Sequence, residues 1–212
     1  VFEQLRDQIV GGAFSAGQLL PAERQLSETF GVNRGALREA LKRLEQARLV
    51  SIQHGGATRV LDFKATAGLD LLVQLLLTPG GGINWLVARS VIELRSALAP
   101  DIARLAALRG DEAAADRLDA IVDQMATQPE DTRALQALAM DFWTTLVDAS
   151  GNLAYRLAIN TLREVYTQID DLLTTTLADE LGDLAAYRAV ARAVRAHDDA
   201  QAGRRARELT ER

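Results

Sequence analysis

Residues 21–56, PAERQLSETFGVNRGALREALKRLEQARLVSIQHGG, constrain this chain more than any other stretch. They read as two short helices joined by a tight turn, then a two-stranded hairpin with a glycine tip. Pro21 suits a helix start, where its missing N–H would have no partner in any case. Across Ala22–Phe30, Leu26 and Phe30 stand four apart on one face. Gly31 tolerates the positive φ of a helix end, and Asn33 is a good N-cap for the next helix. There Leu37, Ala40, Leu41 and Leu44 follow the i, i+3, i+4, i+7 pattern and face inward. At about 100° per residue, Arg34, Gly35, Arg38 and Lys42 fall on a different, outward face. Leu49–Gln53 and Thr58–Leu61 have strand composition, and His54-Gly55-Gly56 makes the turn between them. Three cations on one helix are by themselves an ordinary solvated face. Their place in the order helix, turn, helix, glycine-tipped hairpin points to DNA, with one helix in the major groove and the hairpin tip on a neighbouring groove or phosphate. Small Gly35 and Ala36 let that helix approach closely, and Arg34 and Arg38 can reach phosphates or guanine edges.

The charge distribution fits a DNA reader that depends on specific contacts. Net charge is −5, yet residues 1–62 carry 8 Lys and Arg against 7 Asp and Glu, and the remainder 16 against 22. A nearly neutral DNA domain sticks weakly to nonspecific DNA, so specificity is expected to come from dimerisation and direct contacts. The chain has no cysteine, which excludes a disulfide framework and suits the cytoplasm. It has no run of about 18 apolar residues and no signal-peptide pattern. It lacks an initiator Met, so the native start is expected to have been trimmed or disordered.

Helical periodicity organises the rest. Residues 1–12 form a first helix with Phe2, Leu5, Ile9 and Val10 inward. A linker over 62–68 leads to an apolar helix around 69–77, which Thr78-Pro79-Gly80-Gly81-Gly82 breaks. Helices follow over Ile83–Arg109, Asp111–Thr127, Asp131–Ala149, Asn152 to about Leu177, Leu181–Ala196 and from Asp198 onward. The fold expected is mainly α: an N-terminal winged helix-turn-helix with a small β-hairpin wing, then a C-terminal antiparallel bundle of six or seven helices. The domains are 1–62 for DNA, 63–82 as linker and connecting helix, and 83–212 as an all-helical regulatory domain. No nucleophile elbow, phosphate loop or His–carboxylate cluster is present, so an enzyme is not expected.

Residues 1–62 resemble the winged-helix domain of the GntR family of bacterial transcription regulators, through LLPAERQLSETFGVNRGALREALKRLEQARLV and the wing IQHGG. The remainder resembles the effector domain of the FadR subfamily, through IELRSALAPDIARLAA (92–107), FWTTLVDASGN (142–152) and the C-terminal helices. SIQHGG, GLDLL, VDASGN and VYTQI are most similar to the acyl-CoA-responsive regulators of fatty-acid metabolism within that subfamily. The resemblance implies DNA contacts at Arg24, Asn33, Arg34, Gly35, Ala36, Arg38, Gln53, His54 and Gly55. It also implies a homodimer on a palindromic double-stranded operator and a small-molecule effector. Ligand signals would pass through the linker at Asp62–Gly68.

Many relatives hold a divalent metal with one Asp and three His. The corresponding positions here are Ala139, Trp143, Tyr187 and one at or near Leu209, so neither metal nor cofactor is expected. Apolar bulk replaces it. Trp143 and Tyr187 either pack the core or line a pocket for an apolar ligand. Arg95 aligns with an arginine that the resemblance puts near an acyl-CoA; on a helix it is otherwise a surface or ion-paired residue. Tyr166 is a further candidate. The chain ends RRARELTER, without the Gly/Glu/Ser segment and Trp that serve the CoA moiety in those relatives. Either the CoA contacts differ, the effector is another molecule, or the chain is truncated there. The effector favoured is a fatty acyl-CoA; a small carboxylate or sugar acid, or an effector-free architectural dimer, are the alternatives.

Overall fold

The computed structural model describes residues 1–53, 57–78, 80–169 and 176–211. They fall into two compact units, Val1–Asn84 and Trp85–Arg212.

In the N-terminal unit, α1 (Phe2–Val10) buries Phe2, Leu5 and Ile9 and ends two residues earlier than its periodicity suggests. The glycines that follow end it: Gly12 takes φ 83°, outside the helical region. Helix α2 (Glu23–Phe30) ends at Gly31, whose φ of 62° and ψ of 34° place it in the left-handed region. The carbonyl of Ser27 accepts there from the Val32 N–H at 3.0 Å. Helix α3 (Arg34–Gln46) starts on Asn33, whose side chain accepts from the Ala36 N–H at 2.9 Å. Leu37, Ala40, Leu41 and Leu44 are buried as their spacing requires. Strands β1 (Val50–Ile52) and β2 (Thr58–Val60) pair antiparallel, with Val50 opposite Val60. Leu19 bridges to Arg59 on the outer side of β2. The core gathers Leu5, Leu26, Leu37, Leu41, Leu44, Leu49, Val50 and Val60.

The stretch 62–68, expected as a linker, holds the short helix α4 (Phe63–Thr66). Asp62 caps it by accepting from the Lys64 N–H, and Thr66 Oγ1 donates to the Arg48 carbonyl at 2.9 Å. One turn is too short to show a period, so only its cap and this tether mark it. Helix α5 (Asp70–Leu75) follows, with Leu71 in the same core.

The C-terminal unit is an all-helical bundle around α6 (Trp85–Arg109). Its other helices are α7 (Glu112–Thr127), α8 (Thr132–Ser150), α9 (Leu153–Gln168), α10 (Ala178–Gly182), α11 (Leu184–Arg195) and α12 (Asp199–Thr210). Asp111, Asp131, Asn152, Asp183 and Asp198 cap α7, α8, α9, α11 and α12 through their side chains. Helix α6 packs on α8, α9, α11 and α12. Ala99, Ala103, Ala106 and Ala107 are buried and keep its neighbours close. At Gly203 of α12 a Cβ would meet the Pro100 carbonyl of α6 at 3.2 Å, so that crossing is tight. Two boundaries differ from the periodic reading. Helix α9 ends at Gln168 rather than near Leu177, and 178–182, expected as a break, form α10.

Gly31→Ala must hold an L side chain in the left-handed region, which costs about 1–2 kcal/mol. Nothing lies within 4 Å of the added Cβ, so the cost is conformational. Denaturant unfolding is expected to show that loss, with Gly31→Asn milder; unchanged stability for Gly31→Ala would contradict this turn.

Candidate DNA-binding face and effector pocket

On the N-terminal unit, packing of Leu37, Leu41 and Leu44 turns Arg34, Gly35, Ala36, Arg38 and Lys42 to solvent on α3. The first backbone N–H groups of α3 lie beside them, a favourable place for phosphate. Arg38 Nε donates to Glu23 Oε2 at 2.9 Å, and Arg24 pairs with Glu28 at 3.4 Å. Lys42 pairs with Glu39 at 3.3 Å. Exposed pairs of this kind are worth about 0–1 kcal/mol, so phosphate or a base edge can replace the carboxylate. Arg34 has no ion pair among the described residues. Gly35 leaves space, though a Cβ there would crowd the capping Asn33 Oδ1 at 3.2 Å. Ile52 N–H donates to Glu45 Oε1 at 2.9 Å, which ties the hairpin to α3. Gln53 is exposed at the end of β1. The structure thus groups Arg24, Asn33, Arg34, Gly35, Ala36 and Arg38 at α2–α3 and sets Gln53 on the hairpin. His54 and Gly55 lie outside the described residues.

In the C-terminal unit a cavity of about 30 Å³ opens between α6, α8 and α9. Ala99, Ile102, Met140, Trp143, Ile159 and Leu162 wall it, and Arg95, Arg163 and Tyr166 supply polar groups. Three of the four residues expected at an effector site therefore converge on one space. Tyr187 is fully buried behind them, edge-on to Phe142 with ring centroids 5.0 Å apart. Its hydroxyl donates to Glu180 Oε1 at 3.2 Å. That carboxylate, 4% exposed, also receives the Arg95 guanidinium in a buried ion pair. Arg95 lies 5.7 Å from the centre of the Trp143 ring.

Burial opposes the charge on Arg95 most strongly, but Glu180, together with Tyr166 and Tyr187, more than offsets it and holds the pKa above the ordinary arginine value. Burial, then the Glu180 charge, raises the Tyr187 hydroxyl well above its usual range. Burial pushes Tyr166 up to about 12, so it is a phenol at neutral pH. The Tyr166 hydroxyl is buried without a hydrogen-bond partner among the described residues. The Trp143 N–H closes no regular hydrogen bond either; it lies close enough to Tyr187 only to favour the phenolate slightly.

The cavity is far smaller than the ~300–1,000 Å³ of small-molecule sites, so a guest must push a wall aside. Met140, unbranched and half-buried, is the adaptable wall. Beyond it a groove of about 390 Å³ shares Met140, Arg163 and Tyr166 and adds Arg133, Gln136, Ala137 and Thr167. Ala139, Trp143, Tyr187 and Leu209 are all buried. Among the described residues no group of three or more His, Cys, Asp or Glu side chains could hold a metal ion. No described helix is long and apolar enough to cross a membrane. Sequence reasoning missed Glu180, which carried no signal inside an expected helix break, and missed Met140, Ile159, Leu162 and Arg163, which look like ordinary bundle residues.

A recognition helix with a hairpin wing and an all-helical ligand-binding bundle together define a class of effector-responsive transcription regulators. Residues 1–60 match the bacterial regulatory proteins of the gntR family, and residues 90–212 match the FCD domain. The chain belongs to the GntR family and is a DNA-binding transcription regulator with an FCD effector-binding domain. It is 38% identical over 211 residues to the HTH-type transcriptional regulator Mce2R of Mycobacterium tuberculosis, covering 100% of this chain and 87% of that one. It is 34% identical over 195 residues to the fatty acid metabolism regulator protein of Edwardsiella ictaluri, covering 88% and 80%. The GntR structure from Streptococcus agalactiae shares the fold, with a TM-score of 0.51 at 23% identity over 99% and 95% of the two chains. The family and these relatives are regulators rather than enzymes.

Removing one member of the buried pair strands the other. Arg95→Ala is expected to cost about 3–5 kcal/mol in denaturant unfolding, whereas Arg95→Met with Glu180→Gln, which removes both charges but keeps an acceptor for the buried Tyr187 hydroxyl, is expected to recover part of it. An Arg95→Ala loss below about 1 kcal/mol would show that the pair is not closed in solution.

Proposed function

We propose that this chain represses or activates from a palindromic operator in the cytoplasm as a homodimer, and that a fatty acyl-CoA bound to the bundle weakens its grip on DNA. Residues 1–62 read the operator, 63–82 connect, and 83–212 sense the effector. Arg34 and Arg38 contact base edges or adjacent phosphates, Arg24 and Asn33 the backbone, and Gln53, His54 and Gly55 the neighbouring groove. One recognition helix reads too few base pairs for specificity, which is the physical reason for two copies.

The observation that carries the effector reading is the cavity itself: apolar walls and, among the described residues, no metal-ligand set and a buried Tyr166 hydroxyl that lacks an acceptor. An acyl chain satisfies the walls, and its carbonyl satisfies the phenol. The adjoining groove offers room for a polar head group. Likeness to a fatty acid metabolism regulator over most of the chain supports the same class. The ligand must favour the DNA-incompetent state, because equal affinity for both states shifts nothing.

Arg34→Ala and Arg38→Ala are each expected to cost about 1–3 kcal/mol of operator affinity in a folded protein. Long-chain acyl-CoA is expected to reduce wild-type operator affinity about 5–150-fold. Unchanged affinity in both arginine variants would contradict the DNA assignment. Acyl-CoA that binds at micromolar concentration without changing operator affinity would contradict the switch. Sedimentation of one chain per bound operator would contradict the dimer.

A further inference from the structure

The buried polar groups behind the cavity restrict its guest more sharply than its apolar walls do. Arg95 is the buried cation among the cavity residues, and it is already matched by Glu180. Glu180 in turn accepts from Tyr187, so moving it aside would break two hydrogen bonds and strand a fully buried tyrosine hydroxyl. The polar side of the cavity, where Arg95 stands, therefore carries no net charge. A carboxylate brought there would add a second anion to one cation in a dry site, and neither its desolvation nor its repulsion from Glu180 is repaid. Arg163 offers little relief, because the residue is exposed, its guanidinium donates to Thr144 Oγ1 at 2.9 Å, and its attraction is screened by water.

Two buried donors on cavity-lining residues lack a hydrogen-bond acceptor among the described residues, the Trp143 N–H and the Tyr166 hydroxyl, and the hydroxyl belongs to the residue that also borders the adjoining groove. That hydroxyl needs one acceptor. Arg95 also lines the cavity, and a guanidinium has five N–H donors, more than the Glu180 contact uses. A neutral carbonyl oxygen suits this arrangement, since it accepts from both and adds no charge.

We propose that Glu180, by neutralising Arg95, makes the polar side of the cavity selective for the uncharged carbonyl of an acyl ester or thioester over the free carboxylic acid of the same chain length. This rests on the effector reading above and sharpens it: Glu180 sets specificity by excluding anions, without touching the ligand itself.

The test compares three probes by calorimetry at neutral pH on the full chain: dodecanoate, the neutral thioester S-dodecanoyl-N-acetylcysteamine, and dodecanoyl-CoA. The neutral thioester is expected to bind about tenfold or more tightly than dodecanoate. In Glu180→Gln, which keeps an oxygen acceptor for Arg95 and Tyr187 but removes the negative charge, dodecanoate is expected to gain about tenfold while the thioester changes little. Thioester binding by the variant also reports that it is folded. If dodecanoate binds the wild type as tightly as the thioester, or gains nothing in Glu180→Gln while the thioester still binds, Glu180 does not set selectivity, although an apolar effector pocket survives. If the thioester is preferred but dodecanoyl-CoA does not bind, the selectivity stands and the CoA part of the effector reading falls. If none of the three binds, both fall.

Discussion

The middle of helix α6 is packed on nearly all sides, and the C-terminal unit is built around that constraint. From Ala99 to Ala107 only Asp101 and Arg104, paired with each other, reach solvent, and the other residues are buried. Alanines let neighbouring helices close on it, and Gly203 removes a side chain where α12 crosses Pro100. One turn before this stretch stands a permanently charged guanidinium, Arg95. A charge buried that deeply demands an anion. Glu180 supplies it from a five-residue helix that could not hold its shape alone. The Tyr187 hydroxyl donates to the same carboxylate oxygen that Arg95 holds. The polar side of the pocket is thus a consequence of packing around α6, and its charge balance follows from the same requirement.

The N-terminal unit was legible in the sequence because its instructions are local. The Asn33 cap, the Gly31 turn and the apolar spacing from Leu37 to Leu44 each act within a few residues. Once these fix α3, the outward placement of Arg34 and Arg38 has no freedom left. The bundle was legible in outline for the same reason, since Asp111, Asp131, Asn152 and Asp198 announce helix starts. Its pocket was less so. Arg95, Trp143 and Tyr166 could be nominated by resemblance, yet Glu180 lies 85 residues from Arg95 in the chain. No periodicity connects two such residues; only the tertiary fold pairs them. Helices α4 and α10 escaped notice because each spans about one turn and owes its existence to a cap or an ion pair rather than to an apolar stripe.

Aromatic bulk and a compensated ion pair give this bundle a different recognition chemistry from a metal centre. A bound metal attracts anionic ligands by charge. Here the cation is already matched, and the free polar capacity among the described residues is the pair of hydrogen-bond donors on Trp143 and Tyr166. The proposed site would discriminate by shape, by apolar area and by hydrogen bonds donated to an uncharged acceptor. It also stays small until something enters, so part of the binding energy must open it, and Met140 gives the wall that can move at least cost.

The central claim is that the effector enters between α6, α8 and α9. Hydrogen–deuterium exchange of the protein with and without saturating dodecanoyl-CoA tests it most directly. The account predicts slowed exchange in the facing turns of α6 around Arg95–Ile102, α8 around Met140–Trp143 and α9 around Ile159–Tyr166. Protection confined to other helices, or no protection at a concentration that saturates binding, would contradict it.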